Sequence, residues 1–203
     1  MLNDVTVFNI REYLSAKGDK DLGEDELRQL LSEFFCDKNP DVERFLKEQS
    51  IEFTKKNQSV TYLVFSNEDA SVVGYFTITI KPITVNAENF SNTMKRKIAR
   101  VSELDEENGT YTLSAYLIAQ LGKNFKAGAN EKITGEQLLQ AAVETIKELQ
   151  YMAGGMVIFL EAEDNEKLMH FYEDENGFKR FDVRETKSGV HDSHTLIQLL
   201  KII

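Results

Sequence analysis

The stretch from Ala129 to Gln140, ANEKITGEQLLQ, has the features of an anion-binding helix start. Thr134 and Gln137 have the spacing of a capping box, in which each side chain accepts a hydrogen bond from the other residue's amide. Gly135 falls in the first turn, and apolar residues at helical spacing follow it: Leu138, Leu139, Ala142, Val143, Ile146 and Leu149. Because helix N-termini attract anions, the stretch predicts a phosphate-binding loop, with a plain strand-to-helix turn as the alternative.

A second group of polar residues lies in and before the segment NEKLMHFYED. Tyr172 is a candidate proton donor, although its spacing from Leu168 and Met169 is equally typical of a packed, half-buried tyrosine. Asn165 precedes the predicted helix and is either a helix cap or a ligand-binding amide. Three carboxylates leave the preceding strand, where they would bind an amine, act as general bases or form a solvated acidic loop: Glu161, Glu163 and Asp164.

Other reaction chemistries have little support in the sequence. His191 and His194 have no third metal ligand at a helpful spacing, so we expect no metal site. The only cysteine, Cys36, has no neighbouring histidine and is interpreted as a small buried apolar residue. The chain has neither a Gly-x-Ser-x-Gly elbow nor a Gly-Lys-Ser/Thr phosphate loop, which argues against hydrolases and nucleotide hydrolysis.

Composition favours one domain over residues 1–203, with residues 1–35 as a candidate N-terminal helical extension. The chain has no apolar run long enough for a membrane span and no signal-peptide pattern. Its single cysteine fits a reducing compartment, so we expect a cytoplasmic protein. A net charge of −10 argues against general nucleic-acid binding, although the basic run from Met94 to Arg100 offers a local site for a polyanion. The acidic residues that follow this run make a solvated helix the alternative.

The order of elements predicts a mixed α/β protein. An acidic helix carries Leu27, Leu30, Leu31 and Phe34 on one face, and a second helix begins at Asn39-Pro40. VTYLVF and VVGYFTITI form an antiparallel hairpin whose second strand is expected to end at Pro82. Residues 83–109 contain one helix and no clear strand. A long strand, TYTLSAYLIAQLG, precedes the loop and helix described first, and MVIFLEA, a short helix and two final strands follow.

This order and three local matches resemble the GNAT superfamily of N-acetyltransferases, over roughly residues 30–203. FFCDKNPDVERFLKEQSIEF and the hairpin after it resemble the subfamily that includes acetyltransferase toxins of toxin–antitoxin pairs. AYLIAQLG, the loop and GEQLLQAA resemble the fourth strand, pyrophosphate loop and following helix. EAEDNEKLMHFYEDENGFKRF resembles the late strand–helix–strand of the family. The resemblance implies a GNAT fold, with a mixed central sheet, splayed central strands and helices on both faces.

The resemblance also implies site residues and acetyl-CoA as co-substrate. The strand end at Leu121 and Gly122 would pair with the pantetheine arm, and Asn165 would hydrogen-bond that arm. Tyr172 would be the general acid for the leaving thiolate. The turn facing the pyrophosphate would consist of six residues: Asn130, Glu131, Lys132, Ile133, Thr134 and Gly135.

The loop departs from the family signature, which is Gln or Arg, two residues, Gly, one residue, then Gly or Ala. Asn130 stands at the Gln/Arg position and Ile133 at the first glycine, so only Gly135 remains. Lys132 would compensate as a point charge. Three hypotheses follow: an N-acetyltransferase acting on a small-molecule or peptide primary amine by direct attack, a GNAT-fold binding or regulatory module of weak or no activity, and a toxin that acetylates aminoacyl-tRNA. The sequence leaves open the acceptor and whether the chain forms a homodimer.

Overall fold

The computed structural model describes residues 4–15, 23–188 and 192–203. Its strands are β1 (Val5–Asn9), β2 (Val60–Ser66), β3 (Val72–Asn86), β4 (Leu104–Asp105), β5 (Thr110–Lys123), β6 (Val157–Glu163), β7 (Lys179–Ser188) and β8 (Asp192–Ile202). They form a mixed sheet in the order β1-β2-β3-β5-β6-β8-β7, with β4 paired to β5. The β5–β6 pairing is parallel and joins Tyr116 to Ile158 and Leu117 to Phe159.

The helices over the same residues are α1 (Ile10–Ser15), α2 (Glu24–Ser32), α3 (Pro40–Arg44), α4 (Ser50–Lys55), α5 (Asn92–Ile98), α6 (Gly135–Ala153) and α7 (Glu166–Met169). A π-helical turn, Phe45–Gln49, joins α3 to α4, and a second, His170–Glu175, extends α7. Short 3₁₀ turns cover Ala87–Asn89 and Lys126–Glu131. Among the described residues, no helix has both the length and the apolar composition that a bilayer crossing requires.

The chain divides into two compact units. The first comprises Met1–Thr79 and Ile118–Glu148, and its core is built from apolar residues of α2, the α3–α4 helix and the hairpin. Asn39 caps α3 as predicted, since its side chain accepts hydrogen bonds from the amides of Asp41 and Val42 at 3.1 and 3.3 Å. The predicted apolar face of α2 is also confirmed, because Leu27 and Leu31 are buried there.

The second unit comprises Ile80–Leu117 and Leu149–Ile203, with β6, β8 and β7 paired antiparallel in that order. The β7–β8 register shifts between Arg180 and Asp182, so Phe181 lies in a β-bulge. The Asn89 side-chain amide donates to the Phe181 carbonyl at 2.9 Å and fixes this bulge. Bulges redirect side chains locally, and Phe181 is buried as a result.

Three sequence expectations differ from the structure. Pro82 does not end a strand, because β3 continues through it to Asn86. Proline has no backbone N–H to donate to a neighbouring strand. Pairing between β2 and β3 extends only to Ile78, so β2 requires no hydrogen bond from position 82. The candidate helical extension, residues 1–35, is not wholly helical, because Val5–Asn9 forms β1, which pairs antiparallel with β2 from Val5–Ser66 to Asn9–Tyr62. Residues 83–109 contain the predicted helix, α5, but also the end of β3 and the short strand β4, where no clear strand was expected.

Candidate functional site

The start of α6 has the predicted capping box. The Thr134 hydroxyl accepts from the Gln137 amide at 3.1 Å, and the Gln137 side-chain carbonyl accepts from the Thr134 amide at 2.8 Å. Just upstream, Ala127 and Gly128 both have positive φ, 49° and 79°. Two successive left-handed residues turn the chain sharply between β5 and α6, and glycine adopts this conformation at little cost. The helix therefore begins at a defined position after a tight turn.

Three backbone amides at this helix start are free of protein acceptors. Within the described parts of the chain, the amides of Ile133, Gly135 and Glu136 donate to no other residue. Ile133 is only 2% exposed as a whole residue, whereas Gly135 is partly exposed and Glu136 is exposed. Asn130 and Glu131 precede these amides, at the end of the 3₁₀ turn. Free amides at a helix N-terminus form an anion-binding arrangement, and the substitution of Ile133 for glycine does not remove the amide.

The charge of Lys132 is already neutralised. Its ammonium group forms an ion pair with Asp69 and lies 3.5 Å from the Ser71 hydroxyl. This pairing, with the Ser71 hydrogen bond, holds the pKa of the Asp69 carboxyl well below its usual value. The sequence predicted that Lys132 would supply a positive point charge to the loop. Because Lys132 is paired with Asp69, it brings little net positive charge there.

Sequence analysis missed Lys38 and Lys123, two lysines that lie close to each other; Lys123 is the last residue of β5. Burial lowers the pKa of Lys123, and the nearby charge of Lys38 lowers it further. Lys38 also lies over the ring of Phe125, 4.6 Å from its centroid. Neither lysine forms an ion pair with any described residue. Because the two cations repel each other, an anion bound by both would stabilise their charged forms. Their separation of 85 positions leaves no local sequence signal.

The end of β5 is held rigidly inside the first unit. Gly122 is buried and Leu121 is partly exposed. Next to them, the buried Asn124 side chain accepts from the Phe35 and Lys126 amides, both at 3.0 Å, and donates to the Val72 carbonyl at 2.8 Å. Because every polar atom of this side chain has a partner, Asn124 fixes the strand end from which the loop departs.

Asn165 is a helix cap, as one of the two interpretations expected. Its Oδ1 accepts from the amides of Lys167 and Leu168 at 2.9 and 3.4 Å. The residue is exposed, and its Nδ2 group donates to no described residue. The side chain thus combines a structural acceptor with a donor available to a ligand.

Tyr172 lies on the π-helical turn that extends α7. Its ring packs edge-on against Phe171 and Phe178, with centroids 5.0 and 5.9 Å apart. Burial raises the pKa of Tyr172 to about 12, so its hydroxyl stays protonated at neutral pH. That hydroxyl has no hydrogen-bond partner among the described residues. The ring is therefore a packed, partly buried tyrosine, and the hydroxyl remains available as a candidate proton donor. Single π turns recur at functional sites.

A cavity of about 310 Å³ lies in the second unit. Its apolar lining includes Leu117, Phe159 and Phe181, all buried. Glu161 also lines it, and its carboxylate accepts from Arg184 Nη1 at 3.1 and 3.2 Å and from Gln198 Nε2 at 2.7 Å. Of the three carboxylates considered from sequence, Glu161 is fixed in a cavity, whereas Glu163 and Asp164 are exposed.

The remaining candidates have structural roles or lie elsewhere. Cys36 is buried, as predicted, and burial raises the pKa of its thiol. His191 lies outside the described residues, and the backbone of His194 pairs with Thr186 in the β7–β8 ladder. No cluster of three or more histidine, cysteine, aspartate or glutamate side chains suited to a metal occurs in the described part of the chain.

Comparison with known proteins identifies the fold. No family model and no curated protein sequence matches the chain. Among solved structures, AtaT complexed with acetyl-methionyl-tRNAfMet matches with a TM-score of 0.59 and 17% identity, over 96% of this chain and 94% of that chain. A tyrosine-to-phenylalanine mutant of KacT gives a TM-score of 0.59 and 17% identity, over 97% and 95%. A mutant AtaT toxin bound to acetyl-CoA and the C-terminus of the antitoxin AtaR gives 0.54 and 17%, over 98% and 94%. The predicted GNAT fold with its mixed central sheet is confirmed.

Proposed function

We propose that this protein is an N-acetyltransferase that uses acetyl-CoA and transfers the acetyl group to a primary amine by direct attack. The observation that carries the proposal is the start of α6, where the amides of Ile133, Gly135 and Glu136 have no acceptor among the described residues. In support, the fold is shared with a toxin solved with acetyl-CoA bound.

The first unit would hold the coenzyme. The exposed free amides of Gly135 and Glu136, at the end of the turn formed by Asn130 to Gly135, would bind the pyrophosphate, and Lys38 and Lys123 would add the positive charge that Lys132 cannot. The backbone of Leu121 and Gly122 would pair with the pantetheine arm. Bound acetyl-CoA supplies an activated thioester. Acetyl transfer requires that the thioester be oriented and that protons be transferred. The strand end and the loop would orient the thioester.

By the resemblance, Asn165 and Tyr172 would complete the chemistry. The free Nδ2 group of Asn165 would donate a hydrogen bond to the pantetheine arm. The Oη atom of Tyr172 holds its proton over the whole physiological pH range and is the atom we assign to protonate the departing thiolate.

Calorimetry with acetyl-CoA tests the coenzyme assignment. Gly135→Pro removes one free amide at the first helical position, where proline is tolerated, and should weaken binding about tenfold. Gly135→Ala keeps the amide and is the matched control. The absence of acetyl-CoA binding at millimolar ligand would overturn the proposal. Binding without acetylation of any amine, unchanged in Tyr172→Phe, would favour the alternative of a GNAT-fold binding or regulatory module.

A second candidate function, acetylation of aminoacyl-tRNA by a toxin, is favoured by the surface of α5. Four cations in or just after this helix form no ion pair with any described residue: Lys95, Arg96, Lys97 and Arg100. Lys97 also lines a cavity of about 350 Å³ together with Lys179. Unpaired cations in a chain of net charge −10 are suited to phosphate contacts, and AtaT was solved with acetyl-methionyl-tRNAfMet.

Two measurements test this second function. Replacing the four cations by glutamine should weaken tRNA binding by about tenfold or more at low salt and flatten its salt dependence. The same variant should acetylate a small amine at the normal rate. Expression of the protein without arrest of growth or translation would contradict a toxin role.

A further inference from the structure

The π-helical turn His170–Glu175 carries Tyr172 and receives hydrogen bonds from the residues that follow it. The Asn176 side-chain amide donates to the Phe171 carbonyl at 2.8 Å, directly before Tyr172. The Phe178 amide donates to the Tyr172 carbonyl at 2.9 Å. Carbonyls near the end of a helical segment lack partners within it and need donors from outside. The backbone on both sides of the Tyr172 side chain is therefore held by hydrogen bonds.

Lys201 in turn fixes Asn176. Its ammonium group donates to the Asn176 carbonyl at 2.8 Å and lies 5.6 Å from the centroid of the Phe178 ring. An ammonium group over an aromatic ring is attracted by the negative face of that ring. Lys201 belongs to β8, which lies between β6 and β7 in the sheet. The lysine therefore ties the end of the π-helical turn to an interior strand.

Phe178 completes this arrangement. It is only 2% exposed, and its ring packs edge-on against the Tyr172 ring with centroids 5.9 Å apart. The preceding residue, Gly177, has a φ of 69°, which glycine adopts at little cost and which turns the chain back towards Tyr172. One buried residue thus holds both the backbone and the ring of the tyrosine.

The ion pairs of the same turn are exposed by comparison. Arg180 Nε and Nη2 both lie 3.3 Å from Glu173 Oε2, and the Arg180 side chain is 46% exposed. His170 Nδ1 lies 2.8 Å from Asp174 Oδ2, and the His170 side chain is 63% exposed. Exposed ion pairs of this kind contribute little to the structure, because water screens them.

We infer that Asn176 and Lys201 are positioning residues, which hold the π-helical turn so that the Tyr172 hydroxyl keeps one fixed position from which to donate its proton. The inference rests on the proposed role of Tyr172 in the reaction. Both residues act through Tyr172 and are assigned no contact with a reacting atom. Placement of this kind matters because a displacement of about 1 Å can lower a reaction rate about a hundredfold.

Thiol release from acetyl-CoA, with a mixture of amino acid amides, polyamines and aminoacyl-tRNA, measures the effect on the reaction. Asn176→Ala removes the donor to the Phe171 carbonyl and should lower kcat at least about tenfold, while the KM for acetyl-CoA changes by less than about twofold. Lys201→Met should lower kcat about threefold or more. Lys201→Arg retains a cationic donor and should restore most of that loss. Arg180→Gln breaks an exposed ion pair of the same turn and is the matched control, with kcat within about twofold of the wild type.

NMR of the ring carbon that bears the Tyr172 hydroxyl measures its placement without any reaction, and the loss of the signal in Tyr172→Phe assigns it. Asn176→Ala should shift this signal and lower the pKa of Tyr172 from about 12 towards 10, because the loosened turn admits water. Arg180→Gln should leave the signal in place.

A wild-type kcat in Asn176→Ala, or a Tyr172 signal that does not move, would overturn the inference. If Asn176→Ala does not fold, Lys201→Met and Lys201→Arg decide the same question, since equal kcat values and unshifted signals in both would overturn it. A shifted Tyr172 signal in a protein that does not bind acetyl-CoA would uphold the positioning of Tyr172 and remove the proposed function, which keeps the two failures distinct.

Discussion

A Cβ atom placed on Gly122 would clash with Cγ1 of Val42, so the backbone of β5 passes directly against α3. A second contact reinforces this junction, because the Tyr75 hydroxyl donates to the Val42 carbonyl at 2.6 Å. The same strand end carries Leu121 and leads into the loop before α6. Close packing of α3 on β5 therefore fixes the segment to which we assign the pantetheine arm.

This packing makes Gly122→Ala destabilising. The added methyl group has no space, and overpacking of this kind costs about 1–3 kcal/mol. Urea denaturation measures the loss. In the double variant with Val42→Ala the methyl group has room, so the two changes should couple favourably by more than about 0.5 kcal/mol. Simple additivity of the two changes would show that the contact is not the cause.

The capping box at the start of α6 should contribute measurably to stability. Thr134→Ala removes the acceptor of the Gln137 amide and should cost about 1 kcal/mol. Thr134→Ser retains a hydroxyl and serves as the control. Thermal or urea denaturation of both variants gives the difference, and equal stability would mean that solvent replaces the cap at no cost.

Features set by neighbouring residues could be predicted from the sequence. The capping box, the Asn39 cap and the helical face of Leu27 and Leu31 all depend on spacings within one turn or two. The order of elements and the resemblance of the Tyr172 segment were enough to predict the GNAT fold, because each segment also carries its own periodicity.

Features set by pairing between distant segments could not be predicted. Glu161 and Arg184 are 23 positions apart and meet only because β8 lies between their strands. Lys38 and Lys123 are joined by the packing of the first unit. The passage of β3 through Pro82 likewise depends on where the β2 register stops. None of these relationships has a local sequence signature.

The charge of Lys123, rather than that of Lys132, should support acetyl-CoA binding. Lys123→Met should weaken binding about threefold or more at low salt, with the difference shrinking as salt is added. The double variant Asp69→Asn with Lys132→Met removes both partners of an ion pair and should change affinity by less than about twofold. Calorimetry at two salt concentrations measures both. A larger effect of the double variant would return the role to Lys132.

Tyr172 should couple stability to alkaline pH. Burial raises its pKa from the usual 10 to about 12 in the folded protein, so folding favours the protonated form. Its contribution is complete below pH 10 and is lost as the pH rises towards 12, because only the unfolded chain then releases the proton. The free energy of unfolding of the wild type should fall more steeply than that of Tyr172→Phe in this window, by up to about 1.4 kcal/mol per pH unit. Urea titrations at several pH values between about 9 and 12 measure how steeply the free energy of unfolding falls with pH in each protein. Parallel curves would show that the folded protein leaves the Tyr172 pKa near its usual value of 10, and would contradict the assigned burial of the hydroxyl.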